Sequence, residues 1–213
     1  MEPQLWSDVA VDVSTAFGPP VEISAISKAS TAIATSEDHD FAVGKFLLLK
    51  VGGMLDLDYA VVRVGAVTAD TFALEGIDSL PFKDFTGGTA EEITFGLSAE
   101  TFTEVNASGG ESAQQLIQTI HRRRGYNIPG NESPLVFTFG SLWIASDPVL
   151  LALVAASRAR ANRAVRFTFA DGAIGVFAGI PSASLAPGGS AGAPVTTPVV
   201  INCRGLFQPY EAA

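Results

Sequence analysis

Apolar and polar positions alternate in short runs over most of this chain, and the runs are punctuated by glycine, proline and aspartate. That is the pattern of β-strands joined by turns. Residues 5–13 alternate and then break at Gly18-Pro19-Pro20, which predicts a strand followed by a bend. Between 21 and 88 the β-runs are short, the clearest being 45–51, 60–64 and 71–75, with Gly52-Gly53 and Ala69-Asp70 between them. Nothing in that stretch repeats at helical spacing, so it predicts a small β-barrel-like module. A second β-rich region begins with Glu92 to Val105, and Ser108-Gly109-Gly110 ends that strand. The stretch 114–120 fits either a strand or a short helix, and Ile128-Pro129-Gly130 predicts a turn. Residues 133–143 read as a core strand, with Leu135, Phe137 and Phe139 alternating against Val136 and Thr138, and Trp143 at its end.

One helix is expected, over 148–163. Asp147 is placed to cap it and Pro148 occupies the first helical position, where a missing N–H costs nothing. Val149, Leu150, Leu153 and Val154 form an apolar stripe for packing on a sheet, while Arg158, Arg160 and Arg163 load the C-terminal end of the macrodipole. A hairpin follows, with strands at 165–169 and 173–180 around Ala170-Asp171-Gly172. A loop rich in Gly, Ser, Ala and Pro runs over 181–194, and a final strand over 195–207. Pro198 inside that strand predicts an edge or a bulge. The phenylalanines 137, 139, 167, 169 and 177 read as the core of a β-sandwich. The fold class is therefore mainly β, a sandwich or barrel with one packed helix and a small inserted module.

Composition sharpens this picture. Of 213 residues only 16% are charged and 47% are hydrophobic, with mean hydropathy +0.32. Long disordered tails are charge-rich and apolar-poor, so none is expected. Such an oily chain fits a protein that buries surface against copies of itself. The single Cys203 excludes an internal disulfide or a multi-cysteine zinc knuckle, and two histidines, His39 and His121, give a metal site little to work with. The start Met1-Glu2-Pro3-Gln4 has an acid where a signal peptide needs a basic region. No apolar run reaches the roughly 20 residues of a membrane span.

The net charge of −9 is unevenly spread. Residues 1–111 carry five basic residues against eighteen acids, whereas 112–213 carry eight arginines against four acids. An acidic half joined to a basic half fits either two domains of different charge or a protein that meets itself head to tail.

Chemistry-bearing motifs are few. Gly188-Gly189-Ser190-Ala191-Gly192 spells a nucleophile elbow, but an elbow needs a strand before it, a helix after it and a later histidine. Both histidines precede it, so Gly188, Gly189, Ser190 and Gly192 read as a flexible loop. Arg122-Arg123-Arg124 is the densest positive cluster, with Tyr126 the only aromatic nearby, too few for a nucleic-acid platform. A solvated loop, a phosphate contact, or an acidic surface on another copy are the readings it allows. Asp56 and Asp58 would share a face in one extended strand, without a calcium-loop pattern around them. His39 sits among turn residues that suit a backbone bond better than a metal. Asn106-Ala107-Ser108 is a glycosylation sequon by spelling only. No cofactor and no catalytic constellation is expected; the residues alone describe a self-associating β protein.

The run from Arg166 through Asp171-Gly172 to Gly179 resembles the hairpin of tail tube proteins of long-tailed bacteriophages. Ser182, Ser184-Leu185, the following loop and Val195-Thr196-Thr197, Val199-Val200 resemble that family too, as does the helix from Ser146-Asp147-Pro148 to Arg163-Ala164. Ile117-Gln118-Thr119-Ile120-His121 with Ile128-Pro129-Gly130 is similar to the family's stretch after its second strand. Residues 23–78 resemble a module recurring in phage tail proteins, through Ile26-Ser27-Lys28-Ala29, His39, Phe41, Gly44, Gly53-Met54, Val64 and 71–78. The resemblance implies a structural virion protein, not an enzyme: hexameric rings stacked into a tube that conducts DNA without binding it specifically. It implies as partners the protein itself, a tape-measure protein, a tail terminator and tail assembly chaperones, with no membrane partner, and a flexible non-contractile tail. Assembly would take place in the host cytoplasm. On that view 1–20 and 89–213 form the tube core and 21–88 an insert projecting outward. Arg122, Arg123, Arg124 and Tyr126 would contact the next ring, and Leu150, Leu153 and Val154 would pack the helix on the sheet away from the lumen. A terminator or completion ring, or a carbohydrate-binding or adhesion module, are the alternatives.

Overall fold

The computed structural model describes residues 5–212. Sixteen strands and one helix follow in chain order. The first four strands are β1 (Ala10–Phe17), β2 (Val21–Ile23), β3 (Ala25–Ile26) and β4 (Ile33–Thr35). Next come β5 (Phe46–Gly52), β6 (Val61–Val67), β7 (Thr71–Leu74) and β8 (Gly87–Ser98). The strands β9 (Phe102–Ser108), β10 (Ser112–Ile117), β11 (Tyr126–Glu132) and β12 (Val136–Leu142) precede α1 (Pro148–Ala159). The chain ends with β13 (Arg163–Thr168), β14 (Ile174–Ala183), β15 (Thr196–Cys203) and β16 (Gln208–Tyr210).

The fold is mainly β. An antiparallel sheet runs in the order β3-β4-β7-β6-β5-β8-β1-β13-β14-β15-β12-β9, with β2 also on β8 and β16 also on β14, while β10 and β11 form a separate two-stranded ribbon. The sheet curls around two apolar clusters. In the first, Ile23, Leu47, Leu49, Val62, Phe72 and Leu74 fill the space enclosed by β2–β7. In the second, Val11 and Val13 of β1 meet Phe137 and Phe139 of β12, four strands away in sheet order, under Leu150 and Leu153 of α1. Strand β8 serves both clusters: residues 87–92 pair with β5, and residues 93–98 pair with β1.

A third cluster joins the two. Phe46, Leu48 and Val61 from the first half pack on Ala164, Val176 and Ala178 from β13 and β14. This explains why β5 reads as an unbroken apolar run: Leu47 and Leu49 face one cluster while Phe46 and Leu48 face another. A strand buried on both sides has no polar face to alternate. Gly205 tightens the join, since a Cβ there would collide with the Tyr59 carbonyl, and the Arg204 guanidinium lies 3.5 Å from the centre of the Tyr59 ring. The Arg63 backbone N–H donates to the Tyr210 hydroxyl at 2.8 Å, and Arg63 Nε donates to Glu75 at 2.6 Å, which raises the Arg63 pKa further.

Several expectations are corrected in detail. Residues 5–13 hold a 3₁₀ turn at Trp6–Asp8 before the strand begins at Ala10. Asp56 lies in a second such turn, Leu55–Leu57, so it does not share a strand face with Asp58, whose carboxylate accepts the Val51 N–H at 3.2 Å. The helix stops at Ala159 because Arg160 takes a left-handed conformation (φ 51), and Arg163 starts β13 instead of loading the helix end. Trp143 lies beyond β12, well exposed, with its indole N–H donating to the Leu185 carbonyl at 2.8 Å. The last strand is split, β15 ending at Cys203 and β16 starting at Gln208. β15 is also central, not an edge. Thr196 exchanges backbone bonds of 2.8 and 2.9 Å with Gly188 on the side away from β12. Pro198 faces that same side, just past the last β14 pair, Ala183 with Val199, so its missing N–H falls in a gap of the ladder.

Burial pushes the Cys203 thiol from 9.0 up to about 12 and the Tyr210 phenol from 10.0 up to about 12. The folded chain therefore keeps protons that the unfolded chain has released. This contribution to stability is complete below pH 9 and is lost as pH rises towards 12. Tyr210→Phe should shrink the loss between pH 10 and 12. At pH 7 it should cost about 1–3 kcal/mol, because the Arg63 N–H loses its acceptor. Urea unfolding at pH 7 and again between pH 10 and 12 measures both effects.

Candidate assembly site

The strands β9 and β12 form a hairpin whose far half leaves the sheet. From Phe102 with Ser141 to Ser108 with Val136 it is an antiparallel pair, with one register shift between Gly140 and Ser141. Its root follows, at Gly109 and Gly110. Both adopt left-handed φ values (89 and 79), and a Cβ at Gly109 would collide with the Pro134 carbonyl. The ladder crosses the root: the Gly110 N–H donates to Ser133 at 3.0 Å, and the Ser133 N–H to Glu111 at 2.9 Å. Beyond it, β10 and β11 pair from Ser112 with Glu132 to Ile117 with Tyr126.

The segment that fitted strand or helix is thus a strand, and Ile128-Pro129-Gly130 lies inside β11 rather than forming a turn. Pro129 is tolerated there for two reasons. Each strand of a two-stranded ribbon has one unpaired side, and the register shifts opposite it, between Ser112 and Gln114.

The tip spans residues 118–125. The Arg122 N–H donates to the Thr119 carbonyl at 3.2 Å, and its guanidinium lies 5.4 Å from the Tyr126 ring centre. The structure thus brings Arg122 and Tyr126 together. All three arginines are exposed, and none makes an ion pair among the described residues. Around them Leu116, Ile128 and Tyr126 are open to solvent, and Ile120 is 98% exposed. The apolar members escaped the sequence reading. Their signal is an apolar run between turns that no core strand or helix claims. A lone two-stranded hairpin is marginal in water, and this one leaves its isoleucines uncovered.

The other predicted residues lie elsewhere. Asp147 caps α1, its carboxylate accepting the Val149 and Leu150 N–H groups at 2.7 and 3.1 Å and the Thr101 hydroxyl at 2.8 Å. Leu150 and Leu153 are buried among the phenylalanines, and Val154 is buried beside them in the helix. Gly188 is pinned to Thr196, while Gly189, Ser190 and Gly192 form an exposed connection closed by an Ala193-to-Ser190 backbone bond of 3.1 Å. No helix follows Ser190; the chain continues into β15. His39 Nδ1 accepts the Phe41 N–H at 3.0 Å, the backbone bond expected of it.

A family model for phage tail tube protein (TTP) matches residues 52–212. The chain belongs to the phage tail tube protein family. No curated protein matches it with significance. Membership makes the subunit a structural component of the virion tail that self-assembles into a tube.

The α1 face can be tested directly. Leu153→Ala should destabilise the subunit by about 2–5 kcal/mol in denaturant unfolding. Leu153→Asp should yield insoluble protein, because it buries an unpaired charge. A soluble, tube-forming Asp variant would show that this face is not in the core.

Proposed function

We propose that six copies form a ring, that rings stack head to tail, and that the resulting non-contractile tail tube conducts DNA during ejection. The observation that carries this reading is the β10–β11 ribbon. Among the described residues it pairs with no other strand and its three arginines have no ion-pair partner, and it belongs to a chain whose net charge is −9. Its arginines can meet carboxylates of the next ring in bidentate geometry. A contact between two different surfaces propagates as a filament unless the rotation closes it into a ring. An acidic, lysine-poor wall also suits a DNA conduit, since attraction at many phosphates would hold the polymer in place.

In this reading 1–20 and 89–213 make the tube core and 21–88 is an insert on its outward side. The separate apolar cluster of the insert supports that division. The helix, packed on the sheet through Leu150, Leu153 and Val154, then lies on the side away from the lumen. A tape-measure protein, a terminator and assembly chaperones are the expected helpers during growth in the host cytoplasm.

The variant Arg122→Glu/Arg123→Glu/Arg124→Glu separates the alternatives. It should keep the circular dichroism and thermal transition of the parent while losing long tubes in negative-stain micrographs at concentrations where the parent forms them. Tubes of normal length from the variant would refute the stacking role. Closed single rings from the parent would instead identify a terminator-type part.

A further inference from the structure

At the open end of the β9–β12 hairpin the surface forms a groove of about 410 Å³. Val9, Val11, Phe102 and Val105 supply apolar lining, and Trp6 stands at one side. The Trp6 ring meets Phe167 edge-on at 5.7 Å and Phe169 at 5.9 Å, yet the residue is 56% exposed. Glu100 and Glu104 line the rim, both exposed and neither in an ion pair among the described residues. Glu104 does accept the Asn106 side-chain N–H at 2.6 Å.

We propose that this groove is the receptor for the arm tip of a second copy of this chain. Ile120 enters the apolar floor beside Trp6, and the arginines of the tip engage Glu100 and Glu104. The inference rests on the reading that the tip bridges successive rings, and it names the surface on which the tip lands.

Three observations carry it. The two surfaces are complementary in charge, three arginines against two carboxylates, none in an ion pair among the described residues, with an apolar element at the centre of each. They also lie at opposite ends of the same hairpin, with Phe102 at the open end and Ile117 beside the tip. Those residues are separated by roughly 50 Å of extended strand. A tip therefore cannot reach the groove of its own chain, and the match is made only between copies, in one direction. Lastly, the other acid-lined grooves already carry a cation of their own. The groove at the arm root holds Asp56, Asp58 and Glu132, but Arg204 lines it too, over Tyr59; in the one beside Tyr210, Glu75 is paired with Arg63.

Charge exchange between the two surfaces tests the proposal. Glu100→Arg/Glu104→Arg should raise the concentration needed for tube growth by about tenfold or more, since like charges then face each other. Its thermal transition should stay that of the parent. Adding Arg122→Glu/Arg123→Glu/Arg124→Glu to it should restore growth. If Glu100→Arg/Glu104→Arg grows tubes at the parent concentration while the arginine reversal alone does not, the groove is not the receptor, although the stacking role of the tip survives. If neither variant impairs growth, both readings fall.

A cross-link gives a readout independent of the charges. In a Cys203→Ser background, Thr103→Cys with Ile120→Cys is assembled into tubes under reductant and then oxidised. A ladder of disulfide-linked multimers on non-reducing gels is expected. Formed tubes that yield only monomer bands after oxidation overturn the proposal.

Discussion

The β13–β14 hairpin is enclosed on both faces, and the rest of the subunit is arranged around that burial. One face presents Val165, Phe167 and Phe177 to the cluster beneath α1; the other presents Ala164, Val176 and Ala178 to Phe46, Leu48 and Val61. Small side chains on the second face let β5 and β6 approach closely. Large ones on the first fill the space beneath the helix, where Phe137 and Phe177 stack at 4.3 Å. Arg166, a polar residue within the hairpin, is held by Asp12 at 2.7 Å and by the Phe95 ring at 4.7 Å. Burying each large apolar side chain is worth roughly 1.5–3 kcal/mol, so the hairpin fixes both halves of the chain at once.

How much of this could be read from residue order depends on the range of the forces involved. The cap at Asp147, the stripe on α1, the alternation in β12 and the hairpin turn at Asp171 are local, and each was legible. The ends of elements were less so. The helix was expected to run to Arg163, but nothing local marks Arg160 as the residue that turns left-handed. Pro129 and Pro198 both suggested interruption. Each is accommodated instead by what its neighbour strand does, a register shift in one case and an early departure in the other. Trp143 follows an alternating strand by one residue, and only the end of the pairing reveals that it lies outside the core.

The ribbon shows the same division. Its arginines and Tyr126 were visible as a cluster, but their place at a tip was not, since the turn expected at Ile128-Pro129-Gly130 lies inside β11. Ile120 and Leu116 were not recognisable as surface residues, because apolar side chains in a strand ordinarily mark burial. The groove beside Trp6 left no trace in the sequence at all. It is built from segments near residues 6–11 and 99–105, brought together by the curl of a sheet, and no local pattern encodes that curl.

Strand β8 gives the subunit a mechanical property. Its first half is hydrogen-bonded to β5 and its second half to β1, without a joint between them. Tension applied along this strand loads both ladders in shear, so many bonds resist together instead of parting one after another. The two halves of the chain consequently share strain as a single elastic body, a useful trait in the wall of a tube.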